Sequence, residues 1–124
     1  MLTLDTNIII SYLNDEKPVV DRLLQWKEQG EGFIISVITE IETLSYPELT
    51  EEEISVIERL FQEFTIMPVD SQIGRITARF RRNLKLSLGD SVIVATAYIT
   101  GSNLVTLDKG IIRKAKNTVP VITI

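Results

Sequence analysis

Four acidic residues of this sequence follow short apolar segments or lie on neighbouring helices: Asp5, Glu42, Asp90 and Asp108. Asp5 comes directly after residues 2–4, and Asp108 comes shortly after a second apolar segment at residues 104–105. Parallel strands place their carboxyl ends at one edge of a sheet, which is where α/β proteins bind ligands. The chain has no histidine and no cysteine. Any metal site formed by its side chains must therefore use oxygen ligands, which suit Mg²⁺ or Mn²⁺.

Each of these acids also has an ordinary structural interpretation. Asp5 and Asp90 could be N-caps, because a carboxylate there accepts the first N–H groups of a helix, and taken singly this interpretation is favoured. Glu42 could be a solvated helix residue, and Asp108 could be a turn residue. A shared site explains the four together better. An ionised Asp90 before an almost wholly apolar helix needs a cap, a partner or a metal ion.

Short apolar strands alternate with helices along the chain. The strands are predicted near residues 2–4, 33–35, 64–66, 104–105 and 121–124. The helices are predicted from Thr6, after Pro18, over residues 37–44, after Thr50, from Asp70 or Ser71, from Asp90 and over residues 109–114. This alternation is typical of a parallel sheet covered on both faces. We therefore expect one α/β domain over residues 1–124, a three-layer fold with a central parallel sheet of four to five short strands flanked by helices.

One helix start is specified by its side chains. Thr50 and Glu53 have the spacing of a capping box, in which a hydroxyl and a carboxylate each bond the other residue's backbone. Apolar residues at helical spacing follow, from Ile54 to Phe61. The pattern predicts an amphipathic helix that begins after Thr50.

The formal net charge of −4 is unevenly distributed along the sequence. Residues 1–70 contain 15 acidic and 4 basic residues, whereas residues 71–124 contain 2 acidic and 9 basic ones. Such asymmetry is typical of a basic surface that meets phosphates. The two halves could instead interleave in space, and composition alone slightly favours that alternative.

Three arginines of the basic half share one face of a predicted helix. Arg75, Arg79 and Arg82 lie at positions i, i+4 and i+7, which predicts an RNA-binding stripe that follows the phosphate backbone. An equally weighted alternative is a solvated face paired with the acids of residues 51–63. Three basic residues near the C-terminus could contact phosphates in the same way, although a plain charged surface is the favoured interpretation there: Arg113, Lys114 and Lys116.

Four segments, in order, resemble the motifs of PIN-domain ribonucleases. Residues 4–8, Leu-Asp-Thr-Asn-Ile, resemble the opening motif, and residues 36–42 resemble the second, in which the acid comes three residues after a threonine, at Glu42. Residues 88–97, Leu-Gly-Asp-Ser-Val-Ile-Val-Ala-Thr-Ala, resemble the third motif, and residues 104–108, Leu-Val-Thr-Leu-Asp, resemble the fourth. No single motif is highly specific, but the ordered set is. The match spans essentially the whole chain. Within the family, the sequence is similar to the VapC-type toxins.

The resemblance implies a metal-dependent endoribonuclease that is the toxin of a toxin–antitoxin pair and uses Mg²⁺ or Mn²⁺. It implies that Asp5, Glu42 and Asp90 bind the metal as the core of the catalytic site, assisted by Asp108. The groups that it implies as orienting carboxylates or water are Thr6, Asn7 and Thr106. The implied partners are an RNA substrate, a cognate antitoxin protein and a second copy of the chain in a homodimer.

Two positions depart from the family pattern. Gly89 stands where proline is common, which affects the stiffness of the backbone. Gly110 stands where many relatives carry a further acid, so Asp108 is the only candidate at the fourth position. The number of metal ions is therefore open.

Two other functions fit parts of the pattern. A PIN-like fold without activity would be an RNA- or protein-binding module, and the presence of all four acids ranks it lower. A phosphotransfer domain would carry a second acid beside the one that ends strand one, or two residues after it, where Asn7 stands. Asp70, after the third predicted strand, is interpreted as a helix cap and not as a phosphate acceptor.

The sequence contains no apolar run of the roughly 20 residues that span a bilayer. Its first residues lack the basic region of a signal peptide. These features predict a cytoplasmic protein.

Overall fold

A computed structural model describes all 124 residues of the chain, in which five strands and seven helices alternate. The strands are β1 (Leu2–Leu4), β2 (Phe33–Ser36), β3 (Thr65–Met67), β4 (Asn103–Val105) and β5 (Val121–Ile122). The helices are α1 (Thr6–Leu13), α2 (Lys17–Glu28), α3 (Val37–Leu44), α4 (Glu51–Phe61), α5 (Ser71–Leu84), α6 (Leu88–Thr100) and α7 (Lys109–Ala115). The predicted alternation of strands and helices is confirmed.

All five strands run parallel, in the order β3-β2-β1-β4-β5. The central strand β1 pairs Leu2 with Phe33 of β2 on one side and with Asn103 of β4 on the other. The chain therefore leaves β1 toward one side of the sheet and later crosses to the opposite side. Loops at the carboxyl ends of β1 and β4 diverge at this switch point, which is where α/β sheets bind ligands.

Two apolar clusters cover the two faces of the sheet. Leu4, Ile35 and Val105 pack with residues of α1, α2 and α4 in one cluster of 12 buried residues. Leu104 packs with residues of α5, α6 and α7 in another cluster of 11 buried residues. Adjacent residues of β4 thus serve opposite layers, because side chains alternate along a strand. The predicted three-layer α/β fold with a central parallel sheet is confirmed, with five strands.

Side chains cap most of the helices at their N-termini. Thr50 and Glu53 form both bonds of the predicted capping box, and Asp70 accepts a hydrogen bond from the Ile73 N–H at the start of α5. The prediction that Asp90 begins a helix is wrong by two residues. Helix α6 begins at Leu88 because the hydroxyl of Ser87 accepts from the Asp90 N–H and forms the cap. Asp90 therefore lies within the first turn of α6, and its carboxylate is free for another role.

None of the seven helices combines the length and the apolar character that a membrane span requires.

Candidate functional site

The first pair of site residues is aligned by the pairing of β1 with β4. Leu4 pairs with Val105, so Asp5 and Thr106 follow at the same edge of the sheet. The Thr106 hydroxyl donates to Asp5 Oδ2 at 2.6 Å, and the Asp5 N–H donates to the Val105 carbonyl at 2.9 Å. Strand pairing therefore places a hydroxyl donor directly against the first carboxylate.

Asp5 is also the N-cap of α1. Its Oδ1 accepts a hydrogen bond of 2.7 Å from the Thr6 N–H, and only 4% of the residue is exposed. The ordinary interpretation of Asp5 as a cap is therefore confirmed. Each carboxylate oxygen receives one of these hydrogen bonds, which leaves further lone pairs on both oxygens. Capping and ligand binding are thus compatible at this residue.

Thr6 links α1 to α3. Its hydroxyl donates to Glu42 Oε1 at 2.7 Å and lies 3.0 Å from the Thr39 hydroxyl. Thr39 is fully buried and lies one helical turn before Glu42 on α3. The two threonines hold the Glu42 carboxylate close to the residue that follows Asp5.

The other oxygen of Glu42 points toward the start of α6. A Cβ built on Gly89 would lie 3.4 Å from Glu42 Oε2, in ordinary van der Waals contact. Gly89 directly precedes Asp90, so Glu42 approaches the turn of α6 that carries the third acid. This glycine, which departs from the family pattern, leaves the backbone open to the Glu42 carboxylate.

Asp108 completes the set from the other side of β4. Its N–H donates to the Thr106 hydroxyl at 3.0 Å, and its Oδ1 accepts from the Ile111 N–H at 3.0 Å as the N-cap of α7. Thr106 thus contacts two of the four acids. Asn7 lies nearby and accepts from the Leu107 N–H at 3.3 Å, which ties the start of α1 to the segment before Asp108.

The electrostatic environment of Asp5 opposes its ionisation. The pKa of Asp5 is raised to about 6, chiefly by burial and to a lesser extent by the negative charges of Asp90 and Asp108, while hydrogen bonds from Thr106 and Thr6 oppose the shift. Asp5 therefore lies close enough to Asp90 and Asp108 for their charges to affect its ionisation.

Burial also raises the pKa of Asp90, followed by the charges of Asp108 and Glu42. The Ser87 side chain and the Lys114 ammonium partly oppose this shift. The three salt bridges of the structure join Met1 to Glu31, Lys17 to Asp21 and Lys27 to Glu63. None of the four candidate acids has a salt-bridge partner, so their negative charge is only weakly compensated by the protein.

The donor set fits a hard divalent cation, although the acids do not form a ready-made cage. No three acidic side chains converge closely enough to hold an ion as they stand. The available ligands are carboxylate oxygens, which Mg²⁺ and Mn²⁺ prefer. The electrostatics of Asp5 also fit a cation. Its buried carboxylate has no positive partner in the protein, and a cation beside it would favour its ionised form.

The arginines of α5 form an exposed cationic face. Arg75, Arg79 and Arg82 are exposed, and none of them has a salt-bridge partner, so the predicted alternative of pairing with the acids of residues 51–63 is not what the structure contains. The Arg79 guanidinium lies 5.4 Å from the ring centre of Phe80 and 5.6 Å from that of Tyr98. These aromatic contacts hold one arginine of the stripe against α6.

A groove of ≈ 900 Å³ adjoins the acids between α1, α3 and α4. Apolar side chains such as Ile10, Leu13 and Val56 line it together with Glu42 and Glu52. The groove shares Glu42 with the acidic set, so an occupant of the groove would lie next to the acids.

Two residues at the site were not predicted from the sequence. Thr39 contacts Thr6 inside the layer between α1 and α3; it is the threonine of the second motif, but no role of its own at the site was predicted for it. Ser87 caps the helix that carries Asp90. Its signal was present, because Ser-Leu-Gly-Asp before an apolar run has the spacing of a helix N-terminus.

Comparisons with known proteins agree with this fold. The family model for the PIN domain matches residues 2–117. Among solved structures, a toxin–antitoxin complex from Klebsiella pneumoniae matches with a TM-score of 0.84 and 23% identity, covering 99% of this chain and 97% of the other. FitAcB from Neisseria gonorrhoeae matches with a TM-score of 0.76 and 26% identity, covering 98% and 96%.

VapBC2 from Rickettsia felis, bound to a DNA fragment from its promoter, matches with a TM-score of 0.81 and 18% identity, covering 99% of this chain and 98% of the other. At such identities the likeness to solved structures concerns the fold. The search of curated proteins finds no match.

Proposed function

This chain belongs to the PIN domain family, and we propose that it is a Mg²⁺- or Mn²⁺-dependent endoribonuclease, the toxin of a toxin–antitoxin pair. One observation carries the proposal: Asp5 is buried at the switch point of a parallel sheet, the charges of Asp90 and Asp108 act on it, and none of the four acids has a salt-bridge partner. Helix capping accounts for Asp5 and Asp108 singly, but burial and mutual repulsion disfavour the ionisation of Asp5 and Asp90, so capping gives no reason to bring the four acids together. Binding of a cation and of the phosphate that it neutralises does give one.

In this proposal the residues that would hold the divalent ion are Asp5, Glu42, Asp90 and Asp108. When bound, such an ion lowers the pKa of water and neutralises charge on the phosphoryl oxygens. The absence of histidine is compatible with this chemistry, because the nucleophile needs no imidazole base. The reaction is in-line attack by water on phosphorus, with cleavage of the P–O3′ bond, so that the products carry a 3′-hydroxyl and a 5′-phosphate.

The hydroxyls of Thr6 and Thr106 orient the carboxylates in this mechanism. Thr106 donates to Asp5 Oδ2, and Thr6 donates to Glu42 Oε1, so each fixes one oxygen and leaves the other oxygen of that carboxylate to other contacts. Asn7 acts less directly, because its amide oxygen holds the Leu107 backbone that leads to Asp108. Groups that orient metal ligands typically change activity by about 10- to 100-fold when removed.

The RNA approaches along α5 in this proposal. Arg75, Arg79 and Arg82 offer unpaired guanidinium groups that follow a phosphate backbone, and they offset the repulsion between RNA and the acids. Single-stranded or looped RNA fits best, since the acids must reach a phosphodiester in an accessible strand.

The antitoxin is proposed as the partner of the groove beside Glu42. Solved structures that share this fold include a toxin–antitoxin complex and a member of the VapBC family of toxin–antitoxin systems, and the groove combines apolar side chains with Glu42 and Glu52. A peptide with apolar and basic residues matches that lining. A homodimer is proposed as well, with Ile41 and Leu88 as exposed apolar contacts, 54% and 57% exposed.

Cleavage of a mixed RNA pool by the purified protein tests the proposal. We expect cutting with Mg²⁺ or Mn²⁺, no cutting with EDTA, and a loss of about 100-fold or more in Asp5→Asn and Asp90→Asn. A matched pair on α3 sharpens the test: Glu42→Gln should lose activity, whereas Glu40→Gln should behave as wild type. Products with 2′,3′-cyclic phosphates would contradict the mechanism.

The second candidate is an inactive PIN-like module that binds RNA or protein. The lack of a ready-made ion cage favours it. Failure of the folded wild type to cut any RNA, including tRNA, with either metal would decide for this alternative.

A further inference from the structure

One lysine joins two elements at the border of the acidic set. The Lys114 ammonium on α7 donates to the backbone carbonyl of Lys85 at 3.1 Å, across 29 positions of the sequence. Lys85 ends α5 in the left-handed conformation, with φ 56° and ψ 41°, which non-glycine residues seldom adopt. The contact from Lys114 therefore holds a strained turn in place.

The two ends of this contact lie close in sequence to two of the four acids. The turn at Lys85 leads within a few residues to α6, whose first turn contains Asp90. Helix α7, which carries Lys114, is capped by Asp108. The ammonium is close enough to Asp90 to lower the pKa of its carboxyl against burial and neighbouring acids. Lys114 thus stands beside the acids without pairing with any of them.

The ammonium of Lys114 keeps unused donors. It has three N–H groups, and the Lys85 carbonyl is its one hydrogen-bond acceptor in the protein. No carboxylate lies within the 4.0 Å of a salt bridge, and the side chain is exposed. A lysine that is anchored through one donor, with free donors facing solvent beside a negative cluster, is arranged to receive an anion.

We propose that Lys114 binds a phosphate of the RNA strand next to the phosphate that is cleaved. This inference rests on the proposed function. Lys114 contacts the end of the helix that carries the exposed arginines, and the last of these, Arg82, lies three residues before Lys85. The strand would pass from the arginines over the turn at Lys85 to the acids. Lys114 would lower the repulsion at the last step, where the polyanion meets the carboxylates.

The alternative is that Lys114 only supports the turn. A tether of that kind contributes to folding but not to RNA affinity. The salt dependence of RNA binding separates the two roles, because each phosphate contact on a single strand contributes about 0.7 to the log–log slope of affinity against salt.

The experiment compares Lys114→Met, Lys114→Arg and the matched control Lys116→Met, which removes the same charge from an exposed neighbour. Binding of a fluorescent RNA oligonucleotide is measured by anisotropy in Ca²⁺ over a salt series, and cleavage is measured in Mg²⁺. For Lys114→Met we expect RNA binding weaker by about 3- to 10-fold and a slope shallower by about 0.7. KM should rise with little change in kcat, Lys114→Arg should restore both, and Lys116→Met should match wild type.

A second pair of variants controls for the possibility that Lys114→Met disrupts the turn at Lys85. Lys85→Gly should tolerate the left-handed conformation without the tether, since glycine adopts positive φ readily. Comparing Lys85→Gly with the double variant Lys85→Gly/Lys114→Met then isolates the phosphate contact in a protein that folds.

The outcomes separate this inference from the proposed function. A Lys114→Met variant with a lower Tm but the slope and KM of Lys116→Met would reduce Lys114 to a tether and overturn the inference alone. Binding without cleavage by wild type, with a shallower slope in Lys114→Met, would overturn the nuclease and support the inference. No RNA binding by wild type would overturn both.

Discussion

The two ends of the sheet both contain buried hydroxyl groups, but they use them differently. At the amino ends of β1 and β4, the Thr3 hydroxyl lies 2.6 Å from that of Ser102, which lies 2.8 Å from that of Thr100. Thr100 in turn donates to the Thr96 carbonyl at 2.7 Å. The hydroxyls of this neutral chain therefore bond to one another and to the backbone.

At the carboxyl ends, the hydroxyl contacts end on charges. Thr106 donates to Asp5, and Thr6 donates to Glu42. Carboxylates accept several hydrogen bonds, so each of these acids keeps unused capacity, and no salt bridge neutralises it. The contrast rests on Asp5: the buried hydroxyls at the amino ends are neutral and paired, whereas Asp5 is a buried carboxylate without a salt-bridge partner.

The largest effect is expected at the carboxyl ends of the strands, from removing the Thr106 hydroxyl that contacts Asp5. We expect Thr106→Val to lower kcat/KM for RNA cleavage by about 10- to 100-fold, because it removes the donor to Asp5 and the acceptor for the Asp108 N–H. Thr106→Ser should keep the hydroxyl and most of the activity. Cleavage by the valine variant within twofold of wild type would show that Asp5 needs no orienting donor.

A stability measurement tests the charge itself in metal-free protein. The pKa of Asp5 is about 6 in the folded chain against 3.8 for the ordinary group. A raised folded pKa means that the folded state binds its proton more tightly, so this residue lowers the free energy of unfolding as pH rises from about 4 to about 6. In EDTA, Asp5→Asn should therefore be more stable than wild type by about 1 to 3 kcal/mol at pH 7.5.

The advantage of Asp5→Asn should vanish near pH 4, where the wild-type carboxyl is protonated in the folded chain. Thermal unfolding at both pH values measures this difference. An asparagine variant that is less stable than wild type at pH 7.5 would mean that the hydrogen bonds from Thr6 and Thr106 outweigh the cost of the buried charge.

The smallest effect is expected at the neutral end. Ser102→Ala should lower the free energy of unfolding by about 1 kcal/mol, because it removes one partner of a buried hydroxyl pair. RNA cleavage should stay at the wild-type level. The double variant Thr3→Val/Ser102→Ala should recover part of the loss, since no unpaired hydroxyl remains. A loss of cleavage in Ser102→Ala with unchanged stability would erase the contrast between the two ends.

Local patterns were sufficient for most of the fold. Thr50 and Glu53 predict a capping box that the structure contains. Such a motif can be predicted from sequence because both of its hydrogen bonds lie within four residues. Asp5 and Asp108 follow strands, and parallel pairing alone brings such residues to one edge. Asp70 was correctly interpreted as a cap for the same local reason.

Local patterns were misleading where two interpretations compete over a few residues. Asp90 was expected to begin its helix, but Ser87 takes that place, and the carboxylate is left for the shared site. For Lys114 the sequence left two interpretations open, a phosphate contact and the favoured plain charged surface, because a single exposed lysine carries no signal that separates them. Its contact with the Lys85 carbonyl depends on how α7 packs beside the end of α5.

The sequence by itself determined the chemical inventory: four acids in motif order, no histidine, an α/β alternation and arginines on one face of α5. Only the tertiary structure decided that Thr6 meets Glu42 across 36 positions and that Thr106 meets Asp5 across 101. It also decided the burial that raises the pKa of Asp5. The physical reason is that desolvation and Coulomb interactions depend on distance in space, whereas helix caps and strand patterns depend on distance along the chain.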